Sequence, residues 1–247
     1  MNYTKSSALE AALSAFPMKQ ILDCLPDAVF FVKDSEGRYA DVNDALVMRC
    51  GVKHKSDLIG KKPSEVMGAL LGGSYEKQDH DIMKTGIQIK DQLELHIYAN
   101  RRIGWCITNK QPLIGADGSI VGIIGISQDL RQPDISHEDY LKLSNITAYV
   151  KENLSSPPTL EDLCDLTSSS PYQLNSRIQK IYGLTTGQWI LKQRIEYARD
   201  QLISTNTPLI EIALEAGYSD QSTFSRQFRK ITGLSPMQFR KSGRVKV

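Results

Sequence analysis

Within ten residues the chain carries Gln221, Ser222, Thr223, Ser225, Arg226, Arg229 and Lys230, a set rich in groups that bond other molecules. A guanidinium forks onto the O6 and N7 of guanine, a carboxamide pairs with adenine, and hydroxyls reach bases or phosphates. Arg226 suits guanine and Gln221 suits adenine. Arg229 and Lys230, one turn further on, suit backbone phosphate. For this chemistry the side chains must share one side of a rigid element. Phe224, Phe228 and Ile231 recur at i, i+4 and i+7, so they form one apolar helical stripe. At ~100° per residue, Ser222, Ser225, Arg226 and Arg229 then project on the opposite side. Gly217 supplies a turn, Ser219 is a candidate cap, and Gly233 is a stop.

The pattern occurs twice. Leu160, Leu163, Cys164 and Ser170 match Leu209, Ile212, Ala213 and Ser219 at an offset of 49. Leu174, Ile178, Ile181, Gly183 and Leu184 match Phe224, Phe228, Ile231, Gly233 and Leu234 at an offset of 50, after one inserted residue. Each copy has the grammar of a helix-turn-helix. Thr159 with Asp162 forms a capping box, and Thr207 with Pro208 provides a cap and a first-turn proline. In the first copy the outward set is Tyr172, Asn175, Ser176 and Gln179. A single amphipathic helix with its polar side in water is commonplace, but two capped copies ending at glycine favour a paired reader. Between them, Thr185 to about Ser204 reads as one helix. It is roughly 30 Å long at 1.5 Å per residue, close to the ~34 Å of one duplex turn. From Ser170 onward the chain has 12 Lys and Arg against 5 Asp and Glu, a charge balance suited to nucleic acid.

Residues 27–129 read differently. DAVFFVKD and RYADVN are short strands, and IQIKDQLELHIYA, RRIGWCITNKQPL and SIVGIIGISQDL are long ones, with GADGS as a tight turn. Helical pieces broken by Gly51, Gly60, Pro63 and Gly72–Gly73 lie between them. The expectation is an α+β domain with an antiparallel sheet and short helices, then an all-α domain with two helix-turn-helix motifs. The four cysteines are scattered, so no disulfide framework or zinc site is indicated and the metal expectation is none. No apolar run spans a bilayer, the first residues lack a secretion-signal pattern, and the expected compartment is the cytoplasm. Without a nucleophile–base pair or phosphate loop, an enzyme is not expected.

The segment IEIALEAGYSDQSTFSRQFRKITGLSPMQFRK resembles the signature of the AraC/XylS family of bacterial transcription regulators, over about 100 residues. The resemblance implies seven helices, binding to double-stranded promoter DNA, and RNA polymerase as a partner. It places base-reading positions at Tyr172, Asn175 and Ser176, and at Gln221, Ser222, Thr223, Ser225 and Arg226. The first copy departs from the family pattern: Ser168 replaces the turn glycine, Ser176 a common arginine, and Thr186 a common proline. Arg177 is expected to compensate by reaching a phosphate. LPDAVFFVKDSEGRYADVNDAL, GKKPSEV and PLIGADGSIVGIIGISQDL resemble a PAS domain, which implies a sensor enclosing a small ligand or pairing with a second copy.

The expected organisation is a helix over 1–21 for homodimerisation, a PAS sensor over 22–131, a linker over 132–142 and the DNA-binding domain over 143–247. A small organic effector is favoured in the sensor, with Phe31, Tyr75, His96, Tyr98, Trp105, Ile107 and Ile124 as candidate lining. Haem on His80 is disfavoured because His80 lies between two acids on a polar helix face. A ligand-sensing promoter-binding regulator is therefore expected. The alternative is a constitutive one whose PAS domain serves only for dimerisation.

Overall fold

The computed structural model describes residues 18–98, 103–130 and 138–244. Residues 1–17 of the expected dimerisation segment and much of the linker therefore lie outside the described residues. A short helix α1 (Met18–Asp23) leads into β1 (Ala28–Asp34) and β2 (Tyr39–Val42). The Asp34 carboxylate accepts from the amides of Glu36 and Arg38 and closes the hairpin, with Gly37 at φ 78°. Helices α2 (Asp44–Cys50), α3 (Pro63–Met67) and α4 (Ala69–Thr85) follow, then β3 (Ile89–Ile97), β4 (Ile103–Ile114) and β5 (Ile120–Asp129). Asn43 ties the start together: its Oδ1 accepts from the amides of Leu46 and Phe30, and its Nδ2 donates to the carbonyls of Ala28 and Leu22.

The five strands form one antiparallel sheet in the order β2-β1-β5-β4-β3. Because side chains alternate across a sheet, its two faces have different fates. Val29, Phe31, Lys33, Glu94, His96, Cys106, Lys110 and Ser127 line the inner side, under the helices. Leu93, Leu95 and Trp105 lie on the other face and join the core of the helical domain.

That domain comprises α5 (Glu138–Glu152), α6 (Leu160–Thr167), α7 (Pro171–Tyr182), α8 (Thr186–Ser204), α9 (Leu209–Glu215), α10 (Gln221–Thr232) and α11 (Pro236–Arg244). Its core includes the fully buried Trp189, Phe224 and Phe228, each stabilising by about 2–3 kcal/mol on burial. Tyr218, Phe224, Phe228 and Phe239 pack in sequence at tilted or edge-to-face angles, with centroids 5.3–5.5 Å apart. The caps at Thr159, Ser170 and Thr185 are each reciprocal boxes.

Local details differ from the sequence reading. Gly72 and Gly73 do not break a helix; α4 runs through them, and a Cβ on Gly72 would overlap the Pro63 backbone. Glycine is therefore required there for close helix packing rather than for a turn. Asp220, not Ser219, caps α10, its Oδ1 accepting from the Thr223 amide at 2.7 Å. Ser170 thus matches Asp220, and the inserted residue falls before the cap. Helix α9 begins at Leu209, so Pro208 takes the cap position rather than the first turn.

The two regions meet along the outer sheet face. Trp105 Nε1 donates to Glu196 at 3.1 Å, and the Lys192 ammonium lies over the Trp105 ring. Asp91, at φ 46° in a bulge of β3, turns its carbonyl toward α8, where Gln188 Nε2 donates to it at 2.9 Å.

Candidate nucleic-acid interface and enclosed cavity

Helix α10 is held from behind by Phe224, Phe228 and Ile231, all buried, which fixes the rotation of its polar side. Gln221, Ser222, Arg226, Arg229 and Lys230 are exposed, and Thr223 and Ser225 are half-buried. Thr223 Oγ1 donates to Asp220 Oδ2 at 2.9 Å and accepts from Arg226 Nη2 at 3.2 Å, a chain that orients the guanidinium. The turn ahead of α10 is pinned from α8: Arg194 donates to the carbonyls of Ala216 and Gly217, both at 2.7 Å.

In the first copy, Tyr172 and Ser176 are exposed on α7, Tyr172 at 81% of its full surface. Asn175 is placed otherwise. Its Oδ1 accepts from the Thr186 amide and, at 2.6 Å, from the Thr186 hydroxyl, so the carboxamide oxygen ties α7 to the start of α8. Arg177 also turns inward: its Nη1 donates to Ser169 Oγ at 2.6 Å and braces its own turn, where the sequence suggested a phosphate contact.

The polar stripe of α10 faces the sheet domain. Arg226, Arg229 and Lys230 form one wall of a cleft of about 580 Å³, and α4 and β3 form the other through Ser74, Asp81, Ile82, Ile89 and Gln92. Past the stripe, a Cβ built on Gly233 would stand 3.2 Å from Leu71 Cδ1 and 3.3 Å from Ser74 Oγ.

Inside the sheet domain is a small, partly open cavity of about 40 Å³. Of the expected lining residues, Phe31, Tyr75 and His96 do line it. Tyr98 borders a neighbouring cleft instead, and its hydroxyl donates to Asp129 Oδ2 at 2.6 Å. Trp105 and Ile107 point away, into the helical domain, and Ile124 is half-buried off the cavity. The correction is one of strand parity: Cys106 and Ser127 face inward, so Trp105, Ile107 and Ile124 face outward.

The unexpected lining is charged. Lys33, Arg49, Glu94 and Lys110 are all buried against the cavity. Asp79 bridges both lysines, to Lys33 and, at 2.8 Å, to Lys110. Burial alone would raise the Asp79 carboxyl, but the charges of Lys110 and Lys33 hold it below the usual range. Burial pushes Lys33 down to about 8 despite that carboxylate. Arg49 pairs with Asp129, while its Nε has no partner. His96 Nδ1 meets the Tyr75 hydroxyl at 3.0 Å, and its Nε2 is buried without a partner. Burial, and then the Arg49 charge, hold His96 neutral down to about 3. Burial pushes the Cys106 thiol up to about 12, which keeps it an inert core thiol. Lys33 was legible as a charge closing the alternation Val29, Phe31, Lys33; Arg49 carried no such signal. His80 is exposed on α4. No cluster able to hold a metal occurs among the described residues. No described helix is long and apolar enough to cross a membrane.

An antiparallel sheet capped by short helices, followed among the described residues by seven helices with two capped helix-turn-helix units, defines an α+β domain followed by a DNA-binding one. Residues 163–242 match a helix-turn-helix domain family and residues 22–134 match the PAS fold. The chain is 30% identical to the transcriptional activator AarP of Providencia stuartii over 100 residues, covering 40% of this chain and 74% of that one. It is 34% identical over 100 residues to the bifunctional transcriptional activator and DNA repair enzyme AdaA of Bacillus subtilis, covering 40% of this chain and 47% of that one. It thus spans about half the length of that relative. VqmA bound to DPO aligns over 90% of this chain and 94% of that one at 20% identity, with a TM-score of 0.41. The chain belongs to the AraC-type transcription regulators and carries an N-terminal PAS domain.

Proposed function

We propose that the PAS domain senses a small-molecule effector and gates promoter binding by covering or releasing the second helix-turn-helix. The observation that carries this reading is that Arg226, Arg229 and Lys230 line one cleft together with α4 and β3. An effector that binds the released arrangement more tightly shifts the population toward DNA binding by its differential affinity. Once released, Arg226 and Gln221 read bases with Ser222, Thr223 and Ser225, while Arg229 and Lys230 hold phosphates. Tyr172 and Ser176 contact the neighbouring groove, and Asn175 positions α7 on α8 instead of reading. The regulator works in the cytoplasm as a homodimer through residues 1–21, with RNA polymerase as its partner at the promoter.

A disulfide staple tests the gate. A Cβ on Gly233 would lie 3.4 Å from Ser74 Cβ, about the separation a disulfide needs. The Ser74→Cys/Gly233→Cys chain, carrying Cys24→Ser to remove an exposed thiol, is expected to lose binding to an operator selected from random duplexes when oxidised. Reduction should restore it. Equal binding in both states would remove the gate. A second reading, constitutive DNA binding with the PAS domain serving only for dimerisation, is favoured by the small cavity, which is close to a filled core. Under that reading no small molecule changes operator affinity.

A further inference from the structure

The cavity of the sheet domain is built to hold more than apolar side chains. Lys33 from β1, Arg49 from α2 and Lys110 from β4 converge on it, at 2%, 6% and 3% exposure. Burying three cations around one space is costly unless each finds hydrogen-bonding partners. The groups facing them are Asp79 on α4, Asp129 on β5 and Glu94 on β3. Asp79 is shared between the two lysines, and Lys110 also donates to Gln78 Oε1 at 2.9 Å. Asp129 is shared between Arg49 and Tyr98. Glu94 Oε1 accepts from the carboxamides of Gln78 and Gln92, at 2.8 and 2.6 Å.

Cations and carboxylates balance three to three, yet particular donors at the cavity are left without an acceptor. The Lys33 ammonium has three N–H groups, and Asp79 takes one. Arg49 Nε and His96 Nε2 are buried and unpartnered at the same cavity. If the Tyr75 hydroxyl donates to His96 Nδ1, Nε2 is a further donor. Most of the remaining wall is apolar, formed by Val29, Phe31, Tyr39, Leu46 and Met67, and Cys106 and Ser127 complete it. Lys33 lies 4.9 and 4.8 Å from the Phe31 and Tyr39 ring centroids, so the donors sit directly beside the apolar wall.

We infer that this cavity binds a short monocarboxylate, its carboxylate on Lys33 and Arg49 Nε and its carbon chain against Phe31, Tyr39 and Met67. The inference rests on the sensing reading for its biological meaning but not for its chemistry. A space of about 40 Å³ is a few times the roughly 10–15 Å³ that admits one water, which limits the occupant to a few heavy atoms. The way in is the neighbouring cleft of about 490 Å³, which shares Arg49, Met67 and His96 with the cavity. Leu234 and Ser242 of the DNA-binding domain complete that cleft, so the ligand passes the domain junction to reach its site.

Calorimetric titration of the full chain with sodium acetate, propionate, butyrate and pyruvate, against sodium chloride at equal ionic strength, tests this. At least one carboxylate should bind saturably where chloride does not. Lys33→Met should weaken that binding at least tenfold, while His80→Ala, at an exposed position on α4, should leave it unchanged. Should Lys33→Met fail to fold, nuclear Overhauser contacts from the bound carboxylate's methyl or methylene protons to the Phe31 and Tyr39 rings of the unaltered protein give the answer. Absence of binding by all four overturns the inference, as does binding that survives Lys33→Met or shows no such contacts. Operator binding measured alongside separates the two readings. Carboxylate binding without any change in operator affinity leaves the site standing and removes the gate. An uncharged effector that changes operator affinity, with no carboxylate bound, does the reverse.

Discussion

The two helix-turn-helix copies make the same backbone demand at their turns and meet it differently. Ser168 sits at φ 48° and Gly217 at φ 79°, each at the end of a first helix, and the following amides repeat the same bonds: Ser169 to Cys164, Tyr218 to Ala213. A serine in the left-handed region costs about 1 kcal/mol or more, and glycine almost nothing. What separates the copies is what surrounds the turn. Ser168 is exposed, whereas a Cβ on Gly217 would overlap the Leu154 carbonyl and Pro157. Arg177 braces the first turn from its own helix; Arg194 braces the second from α8. Both copies border the PAS domain: Gln179, Lys180 and Tyr182 of α7 share a cleft with Asp91, Gln128 and Leu130, and Arg226, Arg229 and Lys230 of α10 share another with α4 and β3. A duplicated motif can thus keep its fold while the residues that brace and surround its turns diverge.

The sharpest way to break this comparison is at the turns. Gly217→Ala should cost about 3 kcal/mol or more, combining left-handed strain with overlap, as read by urea unfolding. Ser168→Ala should cost well under 1 kcal/mol; equal losses would show that the surroundings do not matter.

Acid should act within the PAS domain. His96 stays neutral in the fold down to about 3, while an unfolded histidine titrates near 6.5. As pH falls through that window the unfolded chain takes up a proton the native chain refuses, so stability falls by about 1.4 kcal/mol per unit. His96→Gln should flatten the slope of thermal stability against pH between these values. An unchanged slope would mean that His96 does not titrate differently in the two states.

Base reading sharpens the comparison further. Arg226→Ala should cost about 1–3 kcal/mol on the selected operator and relax preference at one position. Equal loss on random duplex would identify a phosphate contact. Asn175→Ala should instead lower stability by about 1 kcal/mol through its lost bonds to Thr186, leaving base preference unchanged. The smallest effect is expected from Ser168→Gly, a gain of about 0.5 kcal/mol after the added freedom of the unfolded chain is subtracted. A loss there would mean that the serine side chain supports the turn.

The helical domain was legible because its signals are local. Stripes at i, i+4 and i+7, caps three residues apart and glycine stops can all be read within twelve residues, and α7, α8 and α10 lie where those signals put them. The strand runs were legible for the same reason. Less of the cavity could be read, because the face of a strand depends on a parity that one bulge reverses, as between Ile89 and Gln92 in β3. Trp105 and Ile107 have pocket-like composition, yet they serve the domain junction. Asn175 has the side chain of a base reader, but Thr186, eleven residues on, claims its oxygen.

By itself the sequence determined the paired helix-turn-helix units, the order of strands and helices and the polar stripe of α10, since each follows from the residue types and their near neighbours. Only the tertiary structure decided that this stripe faces α4 and β3, and that Lys33, Arg49 and Lys110, as far as 77 residues apart, surround one cavity. Those arrangements depend on contacts between segments distant in the chain, and no local periodicity records which face of one element another will cover.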